Sequence, residues 1–290
     1  LYGFIVWVGA FAWCFVDVFL MSRVLYLVLF LVGSLFCYAI SSMAGGIDVY
    51  TRLLLHMDNL GTQSFIDSGV DGRGVTVGGN TIGSGSQLKF GLSSGYSDGV
   101  GDYLQFAPAG LGLGTNFTID CWVNFEAITL GLFFGSRFDF NDWFAFYYGY
   151  GSLQFRQKEG GVYTILFRED WVPVLNQWYH LAVVCDNGTY YFFVDGVQLG
   201  SSQYFAAPVK YIVAWWRVFD DGTTDGFQGF IDELRLSVGI ARWVTNFVPP
   251  SSAYSVSAGI GSERYLFLLA LSGMCCGVLV VFGIILVYRG

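Results

Sequence analysis

The sequence predicts an all-β sandwich with apolar, helix-length segments at its two ends, and three observations carry that expectation. Asn176 to Gly200 reads NQWYHLAVVCDNGTYYFFVDGVQLG, apolar runs separated by turn signals. Phe117 to Phe125, FTIDCWVNF, alternates as a strand does, with Phe117, Ile119, Cys121, Val123 and Phe125 on one face. Val24 to Ile40 and Tyr265 to Tyr288 contain no charged residue.

In the first stretch, Trp178 to Cys185 and Tyr190 to Val194 flank Asp186-Asn187-Gly188-Thr189, where Asn-Gly supplies the positive φ angles of a tight hairpin. Asp195-Gly196 reverses the chain again into a short third strand, which makes a β-meander. Both main runs are almost continuously apolar, so their sheet requires cover on both faces.

Three further segments agree with a sandwich: Phe117 to Phe125, the closing stretch GFIDELRLSVGIARW from Gly229 to Trp243, and LLLHMD from Leu53 to Asp58. In order and spacing the set resembles the concanavalin A-like lectin/glucanase superfamily and its laminin G-like domains over roughly Leu53 to Tyr254. The resemblance implies a jelly-roll sandwich, flanked here by N- and C-terminal transmembrane α-helices. It implies that Gly229 to Leu236 pairs with the first strand and brings Asp232 near Asp58. Members often hold Ca2+ where the terminal strands meet, so Asp58 and Asp232 are its candidate ligands. Asp67, Asp71, Asp98 and Asp102 are alternatives, and solvated turn positions are the competing reading of all six.

A hydrophobic content of 54% with 12% charged residues is too apolar for an ordinary soluble protein, and mean hydropathy is +0.54. Residues 51–255 hold 11 Lys and Arg against 19 Asp and Glu, the whole of the net charge of −8. That balance argues against nucleic acid, whose binding needs a basic face. Of the six cysteines only Cys121 and Cys185 fall in the β-domain. They read as small buried hydrophobes, with a bridge between them as the alternative.

In order, residues 1–41 form the first membrane region, with a helix over 24–40 about 26 Å long. Leu1 to Met21 leaves three readings open: a second span, a continuation, or a helix in the interface. Residues 42–52 link to a sandwich over 53–254, residues 255–264 form a tether, and 265–288 form a second transmembrane helix flanked by Arg264 and Arg289. Arg23 and Arg289 fall on the side away from the domain, which places it on the exported side.

Leu132 to Phe155, LFFGSRFDFNDWFAFYYGYGSLQF, is the aromatic centre, expected chiefly as core. Its candidates for stacking on sugar rings are Trp143, Tyr147, Tyr148 and Tyr150, with Trp215 and Trp216 as a second platform. Catalysis is not expected. The sequence lacks the Glu-x-Asp-x-Glu strand that sets acid and nucleophile on one face, and Asp232-Glu233 are neighbours, expected to point to opposite faces. The two histidines, His56 and His180, lie in no Cys/His cluster.

Two functions fit. The preferred one is a non-catalytic accessory subunit of a larger membrane assembly, using the sandwich as a protein-interaction module. Its partners are membrane lipids and other membrane-protein subunits, and Gly273, Gly277 and Gly283 would permit close helix packing. The alternative is a membrane-anchored lectin-like module binding glycans at a bacterial or viral envelope. Phe 28, Gly 39, Pro 5 and His 2, with lysine only at Lys89, Lys158 and Lys210, suit a strand-biased organellar genome. The first reading therefore points to a mitochondrial inner-membrane complex with the domain in the intermembrane space.

Overall fold

The structure is a computed structural model that describes residues 46–108, 111–137, 140–206, 209, 215–220, 226–255, 273–275 and 278–280. Its strands are β1 (Thr51–Leu55), β2 (Thr76–Gly78), β3 (Ile82–Ser84), β4 (Ser94–Asp98), β5 (Tyr103–Phe106), β6 (Asn116–Phe125), β7 (Gly131–Arg137), β8 (Trp143–Gly149) and β9 (Ser152–Glu159). They continue as β10 (Val162–Asp170), β11 (Trp178–Asp186), β12 (Thr189–Val194), β13 (Val197–Tyr204), β14 (Trp216–Phe219), β15 (Gln228–Val238), β16 (Gly273–Cys275) and β17 (Val278–Val280).

One sheet runs β13-β12-β11-β6-β15-β4-β3, with β1 also paired to β15, and the other runs β10-β9-β8-β7-β14-β5-β2. The core lies between these eight- and seven-stranded sheets and is largely aromatic. Phe117 and Phe125 of β6 meet Phe155 and Phe133 of the opposite sheet at ring distances of 5.7 and 5.8 Å. Phe192 of β12 meets Phe167 of β10 at 4.3 Å. Cys121 and Cys185 point into this core as free thiols, so the reading as buried hydrophobes holds and the bridge does not.

The expected meander is β11-β12-β13, and its turns carry the paired positive φ angles their sequences require, 47° and 82° at Asn187-Gly188 and 50° and 75° at Asp195-Gly196. Its third strand spans eight residues instead of a short return. The continuous hydrophobicity of β11 and β12 also has its explanation. Ala182, Val184 and Phe193 on the outer face are buried under Trp243 and Phe247 of the segment after β15. That segment is fixed at its far end by Tyr254, whose hydroxyl donates to buried Asp120 and whose amide donates to Glu233 Oε2 at 2.8 Å.

The closing strand pairs with the first as expected, Leu55 opposite Leu234 and Leu53 opposite Leu236. A β-bulge in β15 between Asp232 and Arg235 marks the change of partner from β4 to β1 along one edge. Glu233 is the extra residue, with φ of 49°, and it corrects the alternation argument. Ile231 and Leu234 both face the core, so the carboxylates of Asp232 and Glu233 leave the outer face together.

Inside the stretch expected as a helix over 265–288, β16 and β17 instead pair antiparallel, Gly273 opposite Val280 and Cys275 opposite Val278. Gly273 and Gly277 weaken a helix, and β-branched Val278 and Val280 favour extended backbone. The remainder of that stretch, all of 1–41 and most of the tether lie outside the described residues. Among the described residues no helix is long and apolar enough to cross a membrane.

Candidate functional site

Strand β8 sorts the aromatic centre by parity. Phe144, Phe146 and Tyr148 point into the core, while Trp143, Ala145 and Tyr147 point outward from the seven-stranded sheet. The two hairpins that follow turn at Tyr150-Gly151 and Gly160-Gly161, with successive φ values of 54° and 71°, then 53° and 83°. Two-residue turns of this kind fix register, so Trp143 stands opposite Lys158, and Lys158 opposite Tyr163. On its other side Trp143 pairs with Arg137, the last residue of β7. Trp215 stands one step beyond the pair Trp216–Ser136, at the level of Arg137.

The result is an outward row of Tyr163, Lys158, Trp143 and Trp215, with the strand position of Arg137 between the last two. With strands about 4.8 Å apart, Trp143 lies about 10 Å along the row from the strand positions of both Tyr163 and Trp215. Tyr163 is 46% exposed and Trp215 54%, and Trp143 between them is half-buried. The rings of Trp143 and Tyr163 are tilted toward one another at 5.8 Å.

Two residues along the strands a second row is paired throughout: Arg156 opposite Ala145, Ala145 opposite Gly135, Gly135 opposite Arg217, Arg217 opposite Gln105. Its middle is filled by Leu132, whose Cδ1 lies 2.9 Å from where a Gly135 Cβ would stand and which packs with Ala145 and Tyr147. Its ends are guanidinium groups held by neutral partners. Arg156 lies over the Tyr147 ring at 3.7 Å and donates from Nη1 to the Tyr163 hydroxyl at 3.2 Å. Arg217 lies over the Tyr103 ring at 4.0 Å and donates from Nε to Gln105 Oε1 at 2.8 Å.

Of the stacking candidates read from the sequence, Trp143 and Trp215 come together here. Tyr147 points outward, but Arg156 covers its ring and leaves it 3% exposed; burial, opposed in part by Arg156, holds its hydroxyl well above the ordinary value. Tyr148 and Trp216 have the inward parity and are core residues with no face to solvent, Tyr148 against Phe125 and Trp216 against Phe134 and Phe144. Tyr150 is 75% exposed at the β8–β9 turn, about 20 Å along the strand from Trp143. Sequence reasoning passed over Tyr163, Arg156 and Arg217, which become visible only when β9, β10 and β14 are placed in register with β8.

Asp58 and Asp232 are neighbours, as the resemblance implied, and they grip one loop. Leu92 N donates to Asp58 Oδ1 at 2.7 Å, Phe90 N to Asp232 Oδ2 at 3.0 Å, and Glu233 N to Asp232 Oδ1 at 2.9 Å. Burial, with Glu233 and Asp58 beside it, pushes the Asp232 carboxyl up to about 8. A Ca2+ ion takes six to eight oxygens. Among the described residues no group of three carboxylate, histidine or cysteine side chains converges, and this pair is already engaged by backbone amides. The donor set does not fit Ca2+, and its role is to hold residues 90–92 against the sheet.

The outer face of the eight-stranded sheet carries the densest charge, all of it covered. Arg235 donates from Nε to Asp120 Oδ1 at 3.0 Å, both fully buried, with His180 Nε2 3.4 Å from Asp120 Oδ2. Burial alone would raise the Asp120 carboxyl, but Arg235, His180 and Tyr254 bring it down to about 2. Arg235 lies over the Tyr254 ring at 3.8 Å, so the C-terminal segment seals this cluster from solvent.

Residues 98–239 match the model of a family described as the concanavalin A-like lectin/glucanases superfamily. No curated protein sequence matches the chain. Among solved structures it is similar to domain 4 of AbnA, an extracellular arabinanase from Geobacillus stearothermophilus in complex with arabinotriose. There the TM-score is 0.54 and identity 22%, over 66% of this chain and 93% of that one. It is also similar to the botulinum neurotoxin serotype D binding domain, at TM-score 0.51 and 14% identity over 68% of this chain and 49% of that one. The serotype D ligand binding domain in complex with N-acetylneuraminic acid gives the same figures, so the chain spans about half the length of these toxin chains. At such identities the likeness is one of fold.

Proposed function

We propose that the sandwich, whose residues 98–239 match the model of the concanavalin A-like lectin/glucanases superfamily, is a non-catalytic carbohydrate-binding module whose ligand lies across the outer face of the seven-stranded sheet. The observation that carries this reading is the row of Tyr163, Trp143 and Trp215. Their rings have outward parity, partial exposure and a strand-set spacing that suits stacking on successive sugars of a chain. Arabinotriose and N-acetylneuraminic acid in the similar structures are ligands of those proteins, and they support sugar as the ligand class. On β8 and β9 the outward positions Trp143, Ala145, Tyr147, Gln154, Arg156 and Lys158 include no carboxylate, which supports binding over an acid and nucleophile pair beneath the tryptophan row. Screening the full chain in mild detergent against an oligosaccharide panel tests the reading. Trp143→Ala and Trp215→Ala are each expected to weaken binding about tenfold, and Tyr150→Ala to leave it unchanged. Binding indifferent to both tryptophans would remove the site.

The uncharged runs at 24–40 and 265–288 support a tether to a membrane, with the sandwich on its exported side, in a bacterial or viral envelope or the mitochondrial inner membrane facing the intermembrane space. Ile47 N donates to Ser255 O at 2.9 Å, so the described ends of the sandwich lie side by side, in keeping with two tethers to one surface. A second reading, an accessory subunit in a membrane assembly, draws support from three exposed leucines. Leu60, Leu88 and Leu92 lie on two loops joined by hydrogen bonds from Leu92 N to Asp58 and from Asn59 N to Ser93. Native mass spectrometry of the protein drawn from its own membrane separates the two, since stoichiometric retention in a complex favours the subunit and a free protein the lectin.

A further inference from the structure

We infer that the glycan bound on this face is acidic, its anionic groups paired with Arg156 and Arg217. The inference rests on the glycan-binding reading and adds a chemical class to it. The β-domain is strongly acidic, yet the outer face of the seven-stranded sheet carries Arg156, Lys158 and Arg217. Among the described residues no acidic side chain forms an ion pair with Arg156, Lys158 or Arg217. Near Arg156 and Lys158, Asp142 and Glu159 sit at the strand ends by the Gly160-Gly161 turn, where Asp142 Oδ1 accepts from Gly160 N at 3.0 Å, and Asp220, three residues after Arg217, is buried.

Elsewhere the described arginines of the sandwich answer to carboxylates: Arg52 and Arg73 to Asp71, Arg168 to Asp170, Arg235 to Asp120, Arg242 to Asp48. Arg156 and Arg217 instead rest on tyrosine rings and accept help from a phenol and an amide oxygen, which orient the guanidinium without neutralising it. Arg156 Nε is buried and has no hydrogen-bond partner. A carboxylate or sulfate would take such a fork in bidentate fashion, and a guanidinium already fixed loses little freedom on binding. The two arginines stand three strands apart, about 14 Å at the backbone, Arg156 bonded to Tyr163 on β10 and Arg217 to Gln105 on β5. That geometry fits a chain laid across the strands, sugar rings on the tryptophan row and charged substituents on the arginine row.

The test compares matched ligands on the full chain in mild detergent by isothermal titration: oligogalacturonate against its methyl ester, and dextran sulfate against dextran. At least one acidic member is expected to bind about tenfold tighter than its neutral counterpart, with a preference that shrinks as salt rises. Which pair shows the difference tells carboxylate from sulfate recognition. Arg156→Gln and Arg217→Gln should each lower affinity for that ligand about tenfold and shrink the ratio of acidic to neutral affinity measured on the same variant. Equal affinity for acidic and neutral members would overturn the inference and leave glycan binding standing. Tight binding of polyacrylate that survives Trp143→Ala would overturn it as well, by showing a bare anion site, and absence of any glycan binding would overturn both readings.

Discussion

At the scale of single residues, neighbours on one strand do opposite work. Trp216 is fully buried at 5.0 Å from Phe144, and Trp215, one position earlier, is 54% exposed. Truncating Trp216 to alanine opens a cavity and is expected to cost about 3–5 kcal/mol, whereas Trp215→Ala should stay within about 0.5 kcal/mol. Thermal unfolding followed by near-UV circular dichroism separates them, and a comparable loss from both would contradict the parity of β14. Asp120 is a harsher case. Replacing it with alanine strands the buried Arg235 charge and is expected to cost about 3–5 kcal/mol, enough to deplete folded protein in expression trials.

At the scale of elements, legibility followed the range of the interactions involved. The Asn187-Gly188 and Asp195-Gly196 turns were readable because a positive φ leaves a local signature, and the alternation of β6 because a sheet has a period of two. The bulge at Glu233 was not, since no glycine marks it and its carboxylate is held by His56 and Tyr254 from far away in sequence. For the same reason the aromatic candidates were half right: Trp143 and Trp215 share a row, while Tyr148 and Trp216 sit on the wrong parity for it. Register across β8, β9 and β10 hangs on the Tyr150-Gly151 and Gly160-Gly161 turns, of which the first begins with a tyrosine, an uncommon residue at positive φ. The C-terminal segment offers a test of long-range fixing. It crosses the turn at Gly196, whose O accepts from Phe247 N at 2.8 Å and where a Cβ would overlap the Phe247 carbonyl oxygen. Gly196→Ala, at φ of 75°, is expected to cost more than about 1 kcal/mol and to loosen this segment, exposing Phe193 and the stacked rings of Trp243 and Phe247. Limited proteolysis should then cut first between residues 244 and 255; an unchanged digestion pattern would mean that the segment is held by Tyr254 alone.

At the scale of the whole molecule, the sandwich closes where its first and last strands meet, and that seam carries the groups that make stability depend on pH. Asp232 has a folded value of about 8, so between the ordinary carboxylate range and pH 8 the folded protein binds a proton the unfolded chain has released. His56 is raised by its hydrogen bond to Glu233 at 2.7 Å. Its contribution is therefore complete below its ordinary value of 6.5 and is lost as pH rises through the folded one. Both groups lower stability in the same direction, toward alkaline pH. Asp120 acts in the opposite sense at the acid end, where its contribution, present above the ordinary carboxylate value, is lost as pH falls toward about 2. Stability is accordingly expected to peak near the ordinary carboxylate value of 3.8 and to fall toward pH 8.5, by an amount on the order of a few kcal/mol in unfolding free energy, the melting temperature following it. Asp232→Asn should flatten the alkaline limb even if it lowers the maximum, because its amide cannot accept from Phe90 N and Glu233 N together. His56→Gln should shorten that limb near neutrality only. A wild-type profile flat from pH 5 to 8.5 would place Asp232 in its ionised form, with Lys89 of the 89–92 loop, whose ammonium interacts with it, as the counter-charge.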